Sequence, residues 1–117
     1  MKKLFVIIFT LFSLSVLTQN NINKLEQFSG NYIIKVKGYS SGNEIEKYTL
    51  YKDGTAEWRY IEKPSYKIIS LKKGRWNVEP NLIKITIKGN TGEISENYKL
   101  KNGKWEFGDR YLEKQDN

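Results

Sequence analysis

In Asn81-Leu82-Ile83-Lys84-Ile85-Thr86-Ile87-Lys88-Gly89, apolar and polar side chains alternate with a period of two from Ile83 to Lys88, and turn residues close the stretch on both sides. Successive side chains of a strand point to opposite faces of its sheet. Ile83, Ile85 and Ile87 therefore share one face, and Lys84, Thr86 and Lys88 share the other. A helix would scatter the three isoleucines around its circumference. The stretch reads as a strand with one dry face and one wet face. The same period extends in both directions. Over 31–38, Tyr32, Ile34 and Val36 oppose Ile33, Lys35 and Lys37, and over 93–100, Ile94, Tyr98 and Leu100 share a parity that Glu96 interrupts.

Turn residues recur at Ser41-Gly42-Asn43, Asp53-Gly54, Lys63-Pro64-Ser65, Lys72-Lys73-Gly74, Glu79-Pro80-Asn81, Asn90-Thr91-Gly92 and Asn102-Gly103. Such regular punctuation is that of an all-β sandwich or barrel. Asp53-Gly54 and Asn102-Gly103 carry the residues that a two-residue type I′ hairpin requires. The turns divide the chain into strands at 31–38, 44–52, 55–62, 66–71, 74–79, 82–89, 93–100 and 104–112. Connections this short pair each strand with its sequence neighbour, so the expected fold is an antiparallel up-and-down meander of eight strands. Closure into a small barrel is favoured over a sandwich, because it removes exposed edges. Ahead of the strands, Asn23 and Glu26 have the spacing of a capping box, which predicts a helical turn or two over Lys24 to Phe28, ended by Gly30. No helix-period segment of ten residues or more follows.

The chain opens with Lys2 and Lys3, an apolar run from Leu4 to Leu17 and an abrupt change to Thr18-Gln19-Asn20-Asn21. This is the layout of a secretory signal peptide. The run is shorter than the roughly 20 residues a spanning helix needs. The expected organisation is a cleaved signal peptide over 1–19, a polar entry over 20–30, one barrel domain over 31–114 and a tail over 115–117. The product is expected to be exported, periplasmic or extracellular, with no membrane span after cleavage. The absence of cysteine excludes a lipid anchor on that residue and excludes disulfides. Stability must then come from an apolar core, which the three Trp, eight Tyr and five Phe can supply, although Phe5, Phe9 and Phe12 lie in the leader. Removing Lys2 and Lys3 from the 20 basic residues leaves 18 against 13 acidic ones, a balance of +5.

Without His or Cys there is no imidazole base, thiolate nucleophile or ordinary zinc or copper site. No cofactor and no catalytic residue is expected, and the protein is read as a non-enzyme. Glu44 and Glu46 share a parity opposite Ile45 and read as solvated charges on an outer face. Glu96 shares the parity of Ile94 and Tyr98. It sits either at a bulge or in the interior, where it would need Arg59, Arg75 or Arg110 as a partner.

The aromatic residues are the better functional candidates. Tyr48, Trp58, Tyr60, Trp76, Tyr98 and Trp105, with Phe107, fall mainly on the inward parity. An eight-stranded barrel is just wide enough to be filled by such side chains or to hold one small ligand. Trp58-Arg59-Tyr60 and Gly74-Arg75-Trp76 interleave basic and aromatic residues, as single-strand nucleic-acid binders do. Nucleic acid is not expected as the partner of an exported protein. Lys35, Lys37, Lys84 and Lys88 on the outward parity keep the sheet soluble.

Four stretches together resemble the small bacterial lipocalin-like (calycin-type) envelope domains. Phe28-x-Gly30-x-Tyr32 resembles the motif that opens the first strand, with Tyr where lipocalins usually place Trp. Tyr48-Thr49-Leu50-Tyr51-Lys52-Asp53-Gly54-Thr55 is similar to their strand–turn–strand signature. Gly74-Arg75-Trp76 with Ile83-Lys84-Ile85 looks like their mid-barrel pair, and Tyr98-Lys99-Leu100-x-Asn102-Gly103-x-Trp105 their closing hairpin. The resemblance implies a calycin-like barrel with a capping helical turn and a small hydrophobic ligand or an envelope-sensing role. A copper-associated branch carries Cys-x-x-Cys, which this chain lacks, so metal binding is not implied. The chain is also shorter than ligand-carrying lipocalins.

Two functions follow as expectations. The first is an exported binding module that holds a small hydrophobic or amphipathic ligand in its aromatic-lined barrel. The alternative is a filled-core structural or protein-interaction domain, an envelope component or inhibitor, that acts through its surface. The oligomeric state is left open.

Overall fold

The period-two pattern becomes a closed antiparallel barrel in the computed structural model, which describes residues 24–39 and 42–115. The expected signal peptide lies outside the described residues. A helical turn α1 (24–28) leads into β1 (Gly30–Val36), β2 (Glu44–Leu50), β3 (Thr55–Glu62) and β4 (Lys67–Glu79). β5 (Leu82–Gly89), β6 (Gly92–Lys101), β7 (Lys104–Phe107) and β8 (Arg110–Lys114) complete the meander. Each strand pairs antiparallel with the next, and β1 also pairs with β8, so the sheet closes without a terminal edge.

The strand count agrees with the sequence reading, but two boundaries do not. Lys72-Lys73-Gly74 is not a turn. β4 runs straight through it, so the expected strands 66–71 and 74–79 are one element. Glycine is present there because β5 crosses so closely that a Cβ on residue 74 would lie 1.9 Å from the Thr86 carbonyl oxygen. Conversely, the expected strand 104–112 is broken at Gly108-Asp109, where Gly108 takes a positive φ, into β7 and β8. The Asp53-Gly54 hairpin is also wider than expected. The Gly54 N–H donates to the Tyr51 carbonyl at 3.1 Å, the Tyr51 N–H to Thr55 at 2.9 Å, and Gly54 alone has a positive φ. Asn102 and Gly103 both have positive φ between the paired Lys101 and Lys104, as a type I′ turn demands.

The core fills one end of the barrel. Leu50, Ala56, Ile83, Ile85 and Tyr98 are fully enclosed there, with Tyr32, Trp76 and Leu112 beside them. α1 plugs this end: Leu25 and Phe28 pack on the core, and the Tyr32 hydroxyl donates to the Phe28 carbonyl at 2.7 Å. Thr86, expected on the wet face, is buried, because Arg75 and Ser95 flank it in the register and its hydroxyl bonds Ser95. The opposite end carries residues 37–39 and 42–43 and the connections 63–66, 90–91 and 108–109, and no helix covers it among the described residues. The functional candidates gather at that open end.

Candidate functional site

The open half of the interior is polar because the inward parity changes composition along each strand. β2 presents Leu50 and Tyr48 to the core and then Glu46. β6 presents Tyr98, then Glu96 and Ile94, and β8 begins with Arg110 immediately after the Gly108-Asp109 turn. Arg110 joins the two carboxylates. Its Nη1 lies 3.1 Å from Glu96 Oε2, and its Nη2 lies 3.0 Å from Glu46 Oε2. Glu46 Oε2 also accepts the Trp58 indole N–H at 3.2 Å. Glu96 Oε1 accepts the hydroxyls of Tyr48 at 2.5 Å and Tyr98 at 2.7 Å.

A buried charge is tolerated only when it is paired and hydrogen-bonded. This network meets that demand, and no buried side-chain polar atom among the described residues lacks a partner. Burial drives the Tyr48 and Tyr98 phenols far above their ordinary pKa, and the Glu96 carboxylate they donate to adds to the rise. Burial opposes the Arg110 charge. The facing Tyr98, Glu96 and Glu46 outweigh it and hold the guanidinium above its usual value.

A cavity of about 190 Å³ stands over this network. Its apolar wall is Trp58, Ile87 and Ile94, and its polar wall is Glu46, Glu96 and Arg110. Lys72 is at its rim, with Nζ 5.4 Å from the centre of the Trp58 ring. Lys72 points inward because the register pairs it with Trp58. No carboxylate bonds it among the described residues, so the cavity offers one cation beyond the Arg110 network.

A larger hollow of about 510 Å³ lies where β1 and β2 splay apart beyond the Ile34–Glu46 pair. Tyr39, Glu44 and Tyr60 border it, and the Tyr60 hydroxyl donates to Glu44, which pushes the Tyr60 phenol up to about 12. It is broad and bordered by exposed loop residues, whereas the smaller cavity is where aromatic, cationic and anionic groups converge. A third hollow of about 170 Å³ lies at the plugged end, between α1 and the β4–β5 hairpin.

No family model, curated protein or solved structure matches the chain.

The six aromatic candidates separate by depth. Tyr48 and Trp58 line the cavity, and Tyr60 borders the β1–β2 hollow, its ring stacked 6.2 Å from Trp58. Tyr98 lies beneath the cavity and reaches it only through Glu96. Trp76 belongs to the plugged end, where its indole N–H donates to the Tyr51 carbonyl at 2.8 Å. Trp105 packs edge-on against Phe28 at 5.7 Å, under α1.

Glu96 takes the interior alternative, with Arg110 as its partner; Arg59 and Arg75 instead pair on the outer face with Glu57 and Glu93. Glu46 requires a correction. It faces the cavity and not solvent, because the face opposite Ile45 is the inside of the barrel. The signal was its shared parity with Tyr48 and Leu50. Lys72 was hidden by reading its position as a turn. Among the described residues, no group of three His, Cys, Asp or Glu side chains could hold a metal ion, and no helix is long and apolar enough to cross a membrane.

Proposed function

We propose that the protein is an exported, non-enzymatic, lipocalin-like binding module that holds a small amphipathic ligand at the open end of its barrel. The observation that carries this reading is the two-sided cavity, with Trp58, Ile87 and Ile94 facing Arg110, Glu46 and Glu96, and with Lys72 at the rim. Ligand sites combine apolar walls with a few placed polar groups in this way. The volume equals about six water molecules at roughly 30 Å³ each. It suits one ring or the end of a longer molecule. The closed eight-stranded meander plugged by a helical turn supports the lipocalin-like reading. The leader-like pattern from Lys2 to Leu17 supports export.

A binding role fits the chemistry better than catalysis. Both Glu96 oxygens are engaged by Tyr48, Tyr98 and Arg110, and Glu46 is bound to Arg110 and Trp58, so both cavity carboxylates are tied to a cation and not poised as proton donors.

Tryptophan emission tests the reading. Lipids and aromatic amphiphiles are titrated into the protein and into the Trp58→Phe and Trp76→Phe variants. A true ligand changes emission in the wild type and in Trp76→Phe, and the change disappears in Trp58→Phe. The reading fails if no compound alters the signal, or if the response follows Trp76. Native mass spectrometry of protein from its source would show a retained ligand as added mass.

A further inference from the structure

β4 is longer than its contact with one of its neighbours. It pairs with β3 from Lys67 to Arg75, but with β5 only from Gly74 to Glu79. Beyond the Gly74–Ile87 pair the last two residues of β5, Lys88 and Gly89, pair with β6 and not with β4, so Lys67–Lys73 is hydrogen-bonded to a strand on one side and unpaired on the other. A free edge is a row of backbone donors and acceptors ready to pair with another chain.

Two features describe what this edge fits. The first is apolar. The register places Ile45 beside Ile61 and Ile61 beside Ile68 on the outer face, a row that stops at the open edge. Ile68 and Ile69 are each 51% exposed and Leu71 is 47% exposed. The second is charge. Lys63, Lys67 and Lys73 form no ion pair among the described residues.

A second copy is a poor occupant. Self-pairing would bring two copies of a segment that carries Lys67, Lys72 and Lys73 and no acidic residue onto one ladder, and like charges close together destabilise a sheet. The whole chain also carries +7.

We propose that the free edge of β4, Lys67–Lys73, takes up an extended acidic segment of a partner protein as an added strand. Main-chain bonds would supply affinity. One face of the added strand would extend the Ile45–Ile61–Ile68 row and end in a carboxylate against Lys73, and carboxylates on its other face would meet Lys67, which the bulge at Ile69 sets on the opposite side. The edge adjoins the cavity only through the inward Lys72; Lys67 and Lys73 do not line it.

The test uses the full chain and two fluorescein-labelled octapeptides, one alternating Glu with Val and the other Lys with Val. Fluorescence anisotropy should show the Glu peptide binding at least about tenfold more tightly, as opposed charge signs across a contact imply. Hydrogen exchange should slow at 67–73 on binding. The Lys67→Glu/Lys73→Glu double variant, its fold checked by circular dichroism, should reverse the preference. Equal binding of the two peptides, binding of neither, protection at cavity residues in place of 67–73, or a preference unmoved by the double variant would each overturn the proposal. Self-association through 67–73 in sedimentation experiments would also overturn it, by giving the edge to a second copy.

Discussion

Arg110 holds the polar half of the interior together, because it is the one cation between two inward carboxylates. Replacing it with Met leaves Glu46 and Glu96 facing each other without compensation. Removing one partner of a buried pair costs about 3–5 kcal/mol. Here the Arg110 side chain is 28% exposed, and water softens the loss. Arg110→Met is expected to lower stability by about 2–3 kcal/mol in urea denaturation at pH 7. A loss below about 0.5 kcal/mol would mean that the network is ornamental. The tyrosines predict a second effect. Tyr48 and Tyr98 have folded pKa values above the ordinary value of about 10. A group raised in the folded state contributes fully below its unfolded pKa, and that contribution is lost as pH rises through the window above it. Stability should therefore hold to about pH 10 and then fall, by about 1.4 kcal/mol per pH unit for each tyrosine. Urea titrations at pH 8 to 11 would show this, and a flat profile would refute it. At this scale Glu96 was legible in the sequence, because a charge on an apolar parity demands a partner. Glu46 was legible only through its shared parity with Tyr48 and Leu50 farther along the strand, since its immediate neighbours point the other way.

The elements were legible wherever alternation and turn chemistry agreed. β5 and β6 are the clearest cases, with Ile83, Ile85 and Ile87 inward and Asn90-Thr91 between the strands. They were misread where a glycine served another purpose. Gly74 follows two lysines and looks like a turn, yet its role is to let β5 cross against β4. Close approach across strands leaves no trace in local sequence. Gly74→Ala should lower stability by about 3 kcal/mol, at the upper end of overpacking costs, since the obstacle is backbone and cannot swing aside. Gly42→Ala is the control: its Cβ would meet no atom within 4 Å, and a change within about 0.5 kcal/mol is expected. Thermal unfolding of both variants checks the pair. Equal shifts would remove the crossing argument. Gly108-Asp109 is the reverse case, a turn hidden because Phe107 and Tyr111 on either side suggest a continuous strand.

At the scale of the molecule the barrel is two half-barrels in series, one dry and plugged by α1, the other wet and open. Whether an eight-stranded interior is filled or hollow depends on side-chain volume at each level, and composition alone averages over the levels. The supply of aromatic residues was visible in the sequence, but their division into Trp76 and Trp105 at one end and Trp58 at the other follows from the register. Ile85 and Ile94 lie on the inward parity of adjacent strands but at different depths, Ile85 enclosed completely and Ile94 62% exposed at the cavity. Truncating an enclosed Ile to Ala removes its transfer energy and leaves a void, about 2–5 kcal/mol, whereas an exposed side chain contributes within about 0.5 kcal/mol. Ile85→Ala should therefore cost several kcal/mol and leave the cavity's affinity for its ligand unchanged. Ile94→Ala should leave stability nearly intact and weaken that affinity. If both substitutions destabilised equally, the interior would be one continuous core, and the cavity over Arg110 would lose its claim to be a binding site.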